Sequence, residues 1–245
     1  MPIKKLASAL AAVLLVALPV VSSANEGSFP PAGNDVRNIA SLQRGARNYM
    51  NYCSGCHSAK FVRYNRLAAD LNIPEAELKK NLMFTSDKVA DTIKSAMSAD
   101  DAKKWFGTLP PDFSLIARSR GTDYIYAFLH GFYRDPSRPT GVNNTVLKGT
   151  AMPHVLADLQ GVQTAVFKTE GEEKGEFEKF ELTQKGTLTP EQYDEFVRDT
   201  VNFLQYIGEP IEAKRKDLGF WVTLFLLMFT GFAYLLNKEY WKDVH

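Results

Sequence analysis

Both cysteines of the chain lie in one short segment, residues 52–58, which reads YCSGCHS. Two thiols separated by two residues can add to the two vinyl groups of one haem, and the histidine that follows the second thiol is then held beneath the iron. The sequence therefore predicts one covalently attached haem c, bound through Cys53 and Cys56, with His57 as an iron ligand.

Other uses of paired cysteines fit the sequence less well. A structural zinc site needs four ligands, but the chain has no second cysteine pair, and its other histidines lack the usual spacing. A disulfide or a redox-active dithiol remains an alternative. The thioredoxin-like dithiol motif expects a βαβ context, however, and the sequence before Tyr52 has a helical pattern.

The iron needs a ligand on its other side, and Met152 is the best candidate. It lies in GTAMPH (residues 149–154), where the following Pro153 biases it toward an extended backbone. His154 and His130 are the alternatives, and either would give two imidazole ligands and a lower reduction potential. A full set of axial ligands leaves no open position for a substrate. The chain is therefore predicted to carry electrons and to catalyse no reaction on its own.

Both ends of the chain are hydrophobic, in two different patterns. Residues 1–24 place two lysines before a short apolar run and end in small residues, which is typical of a cleaved export signal. An uncleaved anchor is the alternative, although the run is short for a bilayer crossing. Residues 218–236 carry no charge and are long enough to span a bilayer as a helix, which we favour over a buried core helix. Aromatic residues that suit the membrane interface flank this segment: Trp221, Tyr240 and Trp241.

These patterns divide the chain into four parts. A signal peptide (residues 1–24) precedes one exported domain (25–213), a membrane anchor (214–237) and a short cytoplasmic tail (238–245). The positive-inside rule alone would favour the opposite orientation, because residues 214–216 read KRK on the exported side. We expect the export signal to decide the orientation. The 29 Lys and Arg against 28 Asp and Glu give no basic excess for binding nucleic acid.

The exported domain is predicted to be mainly α-helical, with long loops and one small β hairpin. Apolar spacing predicts helices over residues 35–52, 74–78, 86–97, 123–132 and 190–207. The last of these begins with a capping-box pattern formed by Thr189, Pro190 and Gln192. Residues 135–153 are predicted to form an irregular, functional loop, and residues 166–188 an exposed hairpin whose acidic residues are a solvated face.

Four features occur together in this chain: YCSGCHSAKFVRYNRL, then GTLPPDFSLIARSRGTDYIYAFLHGFYRDP, then AMPHVL, then a final anchor with a short tail. This combination resembles the cytochrome c1 family, the haem subunit of the quinol–cytochrome c oxidoreductase (bc1) complex, in its bacterial form. The resemblance covers nearly the whole mature chain and implies a class I cytochrome c-like haem domain. The LPPDFS segment (residues 109–114) is more specific than the CxxCH motif, which all c-type cytochromes share.

The resemblance implies roles for individual residues. The two cysteines would carry the thioether bonds, and His57 and Met152 would ligate the iron. Arg120 would neutralise a haem propionate, with Tyr124 as its hydrogen-bonding neighbour. A partly buried carboxylate is costly unless it is paired, and an arginine can bind it through two donors. From the residues alone, Arg118 is an equal candidate.

The resemblance also implies partners and a location. A Rieske iron-sulfur protein would deliver electrons to the haem, a c-type cytochrome would accept them, and the anchor would pack against a cytochrome b subunit within membrane lipid. The complex would be dimeric. The chain would lie in a bacterial inner membrane with its haem domain in the periplasm. One departure from the family is the short loop between Tyr133 and Met152, where part of a partner surface would lie.

Three other functions compete with this interpretation. The first is a membrane-anchored monohaem cytochrome that serves a different oxidase or reductase. The second is a periplasmic thiol oxidoreductase that uses Cys53 and Cys56. The third is a haem-based gas sensor, which requires an open or weakly held position on the iron.

Overall fold

The computed structural model describes residues 29–170 and 173–243. The predicted signal peptide, residues 1–24, and the predicted start of the mature chain near Asn25 lie outside the described residues. Helices dominate the described part, the strands form short antiparallel pairs, and one long apolar helix follows the predicted exported domain. This architecture confirms the predicted fold class.

The helices and strands alternate irregularly along the chain. The helices are α1 (Ile39–Tyr52), α2 (Tyr64–Asp70), α3 (Glu75–Asn81), α4 (Ala99–Phe106), α5 (Ile116–Arg120), α6 (Thr122–His130), α7 (Ala157–Gln160), α8 (Pro190–Gly208) and α9 (Glu212–Tyr240). The strands pair as β1 (Ala59–Arg63) with β2 (Thr92–Ile93), β3 (Phe132–Arg134) with β4 (Val142–Asn144), and β5 (Gly161–Glu170) with β6 (Glu173–Lys185).

Helices α1 and α8 form the central pair of the domain. Gly45 lies at their contact, where an added Cβ would come within 2.1 Å of the Asp199 carbonyl oxygen and 2.7 Å of Phe203 Cβ. A glycine is therefore required for the two helices to approach this closely. Beside it, Arg44 Nε donates to Asp199 Oδ2 at 2.5 Å. The apolar residues buried in the two helices include Leu42, Ala46, Tyr49, Val197, Val201 and Leu204.

The start of α8 matches the sequence prediction. Thr189 Oγ1 accepts a hydrogen bond from the Gln192 backbone N–H, and Gln192 Oε1 accepts one from the Thr189 N–H. Pro190 occupies the first helical position, where its missing N–H costs nothing. These residues cap the helix that carries half of the central pair.

Residues 86–97 do not form the predicted helix. Ser86 Oγ donates to Asp91 Oδ2 at 2.6 Å and accepts from the Lys88 backbone N–H at 3.1 Å, so local side chains stabilise a turn instead. The Asp91 carbonyl then accepts a hydrogen bond from the Tyr64 N–H, which draws the segment beside β1. Only strand β2 is regular within this range.

Other predicted bounds need smaller corrections. The helix predicted over residues 123–132 ends at His130, because Phe132 begins strand β3. The loop predicted over residues 135–153 contains strand β4, so it is irregular only in part. The predicted hairpin is present, and it begins earlier than expected, at Gly161. Helices α2, α4, α5 and α7 were not predicted.

The base of the hairpin formed by β5 and β6 is fixed to the haem domain. The buried Gln163 side chain donates from Nε2 to the His130 carbonyl at 2.8 Å and to the Phe132 carbonyl at 2.7 Å. Further out, the Phe167 ring contacts Tyr133 edge to face, with 6.0 Å between the ring centroids. The hairpin is thus held at its base by both polar and aromatic contacts.

Helix α9 is longer than the predicted anchor, since it begins at Glu212 and ends at Tyr240, a length of 29 residues. At about 1.5 Å per residue, it exceeds the ~30 Å of a bilayer's hydrocarbon core. Its apolar segment is not buried against the rest of the described chain. Length and composition therefore qualify it to span a membrane.

Ion pairs fix the start of α9 to the haem domain. Arg215 donates from Nη2 to Glu209 Oε2 at 3.0 Å, and Arg118 lies 3.6 Å from the same carboxylate. Arg37, which precedes α1, pairs with Asp217 at 2.7 Å. Arg215 and Asp217, two positions apart near the start of the helix, are therefore paired with separate parts of the domain.

Candidate haem-binding site

The CSGCH segment begins where helix α1 ends. The Cys53 N–H donates to the Tyr49 carbonyl at 2.9 Å and so closes the last turn of the helix. The N–H groups of Cys56 and His57 then both donate to the Cys53 carbonyl, at 3.0 and 2.8 Å. Both thiols are free. One tight turn therefore brings the two cysteines and the histidine together, as the motif requires.

The His57 imidazole is buried and oriented by two contacts. Its Nδ1 lies 2.8 Å from the Pro111 carbonyl, which can only accept, so Nδ1 carries the proton and Nε2 is free to act as a ligand. The ring stacks on Phe113, with 3.9 Å between centroids and an 18° angle between planes. Burial lowers the pKa of His57, against the opposing effect of the Pro111 contact. A neutral imidazole that donates a hydrogen bond from one ring nitrogen can ligate a metal through the other.

The LPPDFS segment lies along the haem-binding motif through a series of hydrogen bonds. The Phe113 N–H donates to the Ser58 carbonyl at 2.7 Å. Asp112 accepts from the Lys60 N–H at 3.1 Å with one carboxylate oxygen and from the Ser114 N–H at 2.8 Å with the other. The sequence marked this segment as characteristic of a family but gave no physical role for it. In the structure it is the support for His57.

A second segment supports the motif from another side. The Ser95 N–H donates to Ser58 Oγ at 2.8 Å, and Ser95 Oγ donates to the Gly55 carbonyl at 2.6 Å. In addition, the buried Tyr49 hydroxyl donates to the His57 carbonyl at 2.6 Å. The motif is thus held by α1, by the LPPDFS segment and by the chain that follows β2.

The environment of the thiols disfavours the dithiol alternative. Burial raises the pKa of Cys53 to about 12, and burial also raises the pKa of Cys56. A thiol-exchange enzyme needs a lowered pKa, because the thiolate is the nucleophile. Among the described residues, no positive group lowers the pKa of either thiol.

Met152 is half-buried and lies outside the helices and strands, between β4 and α7. Its N–H donates to Thr150 Oγ1 at 3.3 Å, and the buried Thr150 donates its own N–H to the Leu147 carbonyl at 3.2 Å. The methionine therefore sits at the end of a compact turn. Its role as an iron ligand stays a prediction.

His130 is engaged elsewhere. Its Nδ1 donates to the Tyr126 carbonyl at 2.9 Å, and its Nε2 lies 3.9 Å from Asp194 of helix α8. The ring also meets Tyr193 edge to face, with centroids 5.2 Å apart. Nδ1 is thus used within α6 and Nε2 faces α8, which disfavours His130 as an iron ligand.

His154 remains the alternative to Met152 as the second iron ligand. Its ring stacks on Phe132 with planes only 4° apart and centroids at 4.8 Å. Its Nε2 is buried without a hydrogen-bond partner among the described residues, and burial lowers its pKa to about 4. The side chain is therefore a neutral ring packed against β3.

The structure separates the two arginine candidates. The exposed Arg120 guanidinium lies 5.6 Å from the centroid of the Tyr124 ring, and it has no acidic partner within residues 29–170 or 173–243. Arg118 is directed instead to Glu209 at the start of the anchor. Of the two arginines, Arg120 therefore has its charge available to pair with the carboxylate of a bound group.

The whole chain was compared with known proteins. A family model described as the Cytochrome C1 family matches residues 35–165 and 183–244. The residues between these two ranges belong to the hairpin formed by β5 and β6. The cytochrome c1 of Allochromatium vinosum is 49% identical over 239 residues, covering 96% of this chain and 98% of that protein. A protein named ammonia monooxygenase gamma subunit, from Nitrosomonas europaea, is 42% identical over 236 residues, covering 96% and 97%. A mitochondrial cytochrome c1 of Arabidopsis thaliana is 29% identical over 214 residues, covering 80% and 64%.

Asp112→Ala is expected to lower the free energy of unfolding by about 1–2 kcal/mol, because two backbone N–H groups lose their acceptor. The support beneath His57 should loosen at the same time. Denaturant titration followed by haem absorbance would measure the change. Asp112→Asn, which retains one acceptor oxygen, is the matched control and should lose less. Equal stability of the alanine variant and the wild type would show that these bonds do not hold the segment in place.

Proposed function

The chain belongs to the cytochrome c1 family, and on this basis we propose that Cys53, Cys56, His57 and Met152 form the haem site of this subunit. The protein is the haem electron-transfer subunit of the bc1 complex, it carries a covalent haem c, and it is not catalytic alone. The observation that carries the residue assignment is the buried His57 ring, with Nδ1 bound to Pro111 and Nε2 free beside two thiols.

The residues of the site have distinct tasks in this proposal. The bound haem supplies a centre that gains and loses one electron. Cys53 and Cys56 fix it covalently, and His57 presents Nε2 to the iron. The Pro111 carbonyl keeps the imidazole oriented and increases its basicity as a ligand. The Phe113 ring covers one face of the imidazole and excludes water from it.

Met152 is proposed as the second residue that would ligate the iron. A thioether raises the reduction potential relative to a second imidazole. With both His57 and Met152 as ligands, the iron would offer no position to a small molecule, and the subunit would only pass electrons. This feature also argues against a gas sensor.

Arg120 and Tyr124 are proposed to hold a haem propionate. The guanidinium is exposed, lies over the tyrosine ring and has no carboxylate partner in the described part of the chain. Pairing with Arg120 would offset the cost of partly burying the propionate. Arg118, which pairs with Glu209, is not part of this site.

Membership of the bc1 complex places the subunit with cytochrome b and a Rieske protein. We further propose that electrons arrive from the Rieske protein and leave to a c-type cytochrome, that the complex is dimeric, and that lipid and cytochrome b surround α9. A second candidate function is a membrane-anchored monohaem cytochrome of another oxidase or reductase. This second candidate is supported by the Nitrosomonas relative, which is named as a subunit of a monooxygenase.

Purification of the membrane-extracted protein through an affinity tag tests the function. The expected result is co-purification of a b-type cytochrome and a Rieske protein, together with a haem-stained band of this subunit after denaturing electrophoresis. A c-type spectrum with neither partner would support the second candidate. A subunit without haem stain would overturn the covalent attachment itself.

The orientation in the membrane is a separate proposal. We propose that residues 1–24 are a cleaved export signal, that the domain of residues 25–213 faces the periplasm of a bacterial inner membrane, and that residues 238–245 form a cytoplasmic tail. Supporting this, residues 1–24 have the pattern of an export signal, which would set the orientation before the basic residues 214–216 are reached.

Protease added to spheroplasts tests this orientation. Digestion should remove the haem domain and leave a tag at the C-terminus intact until the membrane is opened. A tag that is degraded first would reverse the proposed orientation. Sequencing of the N-terminus of the mature protein would locate the cleavage site expected before Asn25.

Replacement of Met152 with Leu is expected to leave the haem covalently attached and to lower the midpoint potential by on the order of 0.2 V, a fraction of the range spanned by axial ligands. Met97→Leu is the matched control, because Met97 is another half-buried methionine outside the helices and strands. Potentiometric titration would measure both. An unchanged potential in the Met152 variant, or a shift only in the Met97 variant, would refute the assignment.

A further inference from the structure

Both backbone groups of Gly149 are bound by side chains of the preceding hairpin. Asn143 Oδ1 accepts a hydrogen bond from the Gly149 N–H at 2.8 Å, and Arg138 Nη2 donates to the Gly149 carbonyl at 2.8 Å. Gly149 has a φ of +77°, which favours glycine, and it lies three positions before Met152. We call Asn143 and Arg138 together the glycine clasp.

The clasp is itself held in place. Asn143 belongs to strand β4, pairs with Tyr133 of β3, and donates from Nδ2 to Asp135 Oδ2 at 2.9 Å. The Arg138 N–H donates to the Asp135 carbonyl at 3.1 Å. The two side chains therefore extend from a turn whose own geometry is set before they reach Gly149.

Arg138 depends on the glycine carbonyl for much of its hydrogen bonding. Its Nε atom is buried and has no hydrogen-bond partner among the residues that the structure describes. Its Nη2 lies 3.6 Å from the position of a Cβ on Gly149. The guanidinium is thus packed directly on the loop, and its orientation is coupled to that of Gly149.

The rest of the loop that runs from Asn144 to Met152 has few regular backbone hydrogen bonds. The fully buried Asn144 fixes its start, because Oδ1 accepts from the Val146 N–H at 2.8 Å and Nδ2 donates to the Phe128 carbonyl at 2.8 Å. After Gly149, the Met152 N–H has only Thr150 Oγ1, at 3.3 Å, and Pro153 has no N–H. The glycine clasp is therefore the last side-chain connection to the hairpin before the methionine, and one backbone bond follows it, from the Thr150 N–H to the Leu147 carbonyl at 3.2 Å.

From this arrangement we propose that Asn143 and Arg138 are positioning residues that keep the Met152 thioether at the iron. The inference rests on the proposed ligation by Met152 and adds the residues that maintain it. Loss of one hydrogen bond of ordinary net strength changes an equilibrium by about fivefold. Removing either arm of the clasp should increase by about that factor the population in which Met152 is detached.

The test uses Asn143→Leu and Arg138→Leu in the membrane-extracted complex, with haem staining to confirm assembly. Carbon monoxide added to the reduced protein is the probe, because it binds only where the iron has lost its second ligand. The expected result is carbon monoxide binding by about fivefold more of the protein, with a lowered midpoint potential. Arg134→Leu is the matched control, since Arg134 is an exposed arginine on the same hairpin that does not contact Gly149.

A double-variant comparison separates positioning from other effects. In a Met152→Leu background, either clasp variant should cause no further fall in potential, because it acts through Met152. A further fall of the same size would show that the residues act by charge or by general stability, and would overturn the inference. Should Asn143→Leu fail to accumulate, Asn143→Ser, whose side chain is too short to reach Gly149, should give the same carbon monoxide binding.

The results also distinguish this inference from the proposed ligation by Met152 on which it rests. Clasp variants that behave as wild type, alongside a lowered potential in Met152→Leu, would overturn the inference and leave the ligand assignment standing. An unchanged potential in Met152→Leu would overturn both. Increased carbon monoxide binding in both clasp variants, absent in Arg134→Leu, would support it.

Discussion

A single hydrogen bond, from His57 Nδ1 to the Pro111 carbonyl, joins parts of the chain that are 54 residues apart and determines what the site can do. It selects which imidazole nitrogen is protonated, and it fixes the plane of the ring. Most of the surrounding structure serves to hold its two ends. Helix α1 and the turn at Cys53 carry the imidazole, and the bonds made by Asp112 and Phe113 carry the carbonyl.

The contact between α1 and α8 gives that arrangement its rigidity. Because Gly45 lets the two helices meet with almost no space between their backbones, the end of α1 is fixed relative to the rest of the domain. The same α8 leads through Glu209 into the anchor, and Arg118 of α5 binds this carboxylate. Site, core and membrane helix are therefore parts of one connected framework.

The sequence predicted the parts of this structure that local chemistry controls. The CSGCH spacing, the capping box at Thr189 and the uncharged segment of α9 each depend on residues close together in the chain, and each was recognised. Residues 86–97 were misassigned because their helical spacing competes with the Ser86 side chain, whose bonds stabilise a turn. The roles of Pro111 and of Asn143 could not be predicted, because only folding brings the Pro111 carbonyl to the His57 ring and the Asn143 side chain to the Gly149 N–H. The glycine in GTAMP, which precedes the candidate ligand Met152, was the one local signal of the contact between Asn143 and Gly149.

The burial of Cys53 has a consequence for how the protein is made. In the folded domain this thiol is half-buried, burial raises its pKa, and Ser54 and His57 beside it are buried. A reaction that joins a cofactor to this sulfur needs both access from outside and a thiolate, and the closed turn restricts both. Attachment is therefore favoured while this segment is still open, and the domain then closes around a group that it already carries.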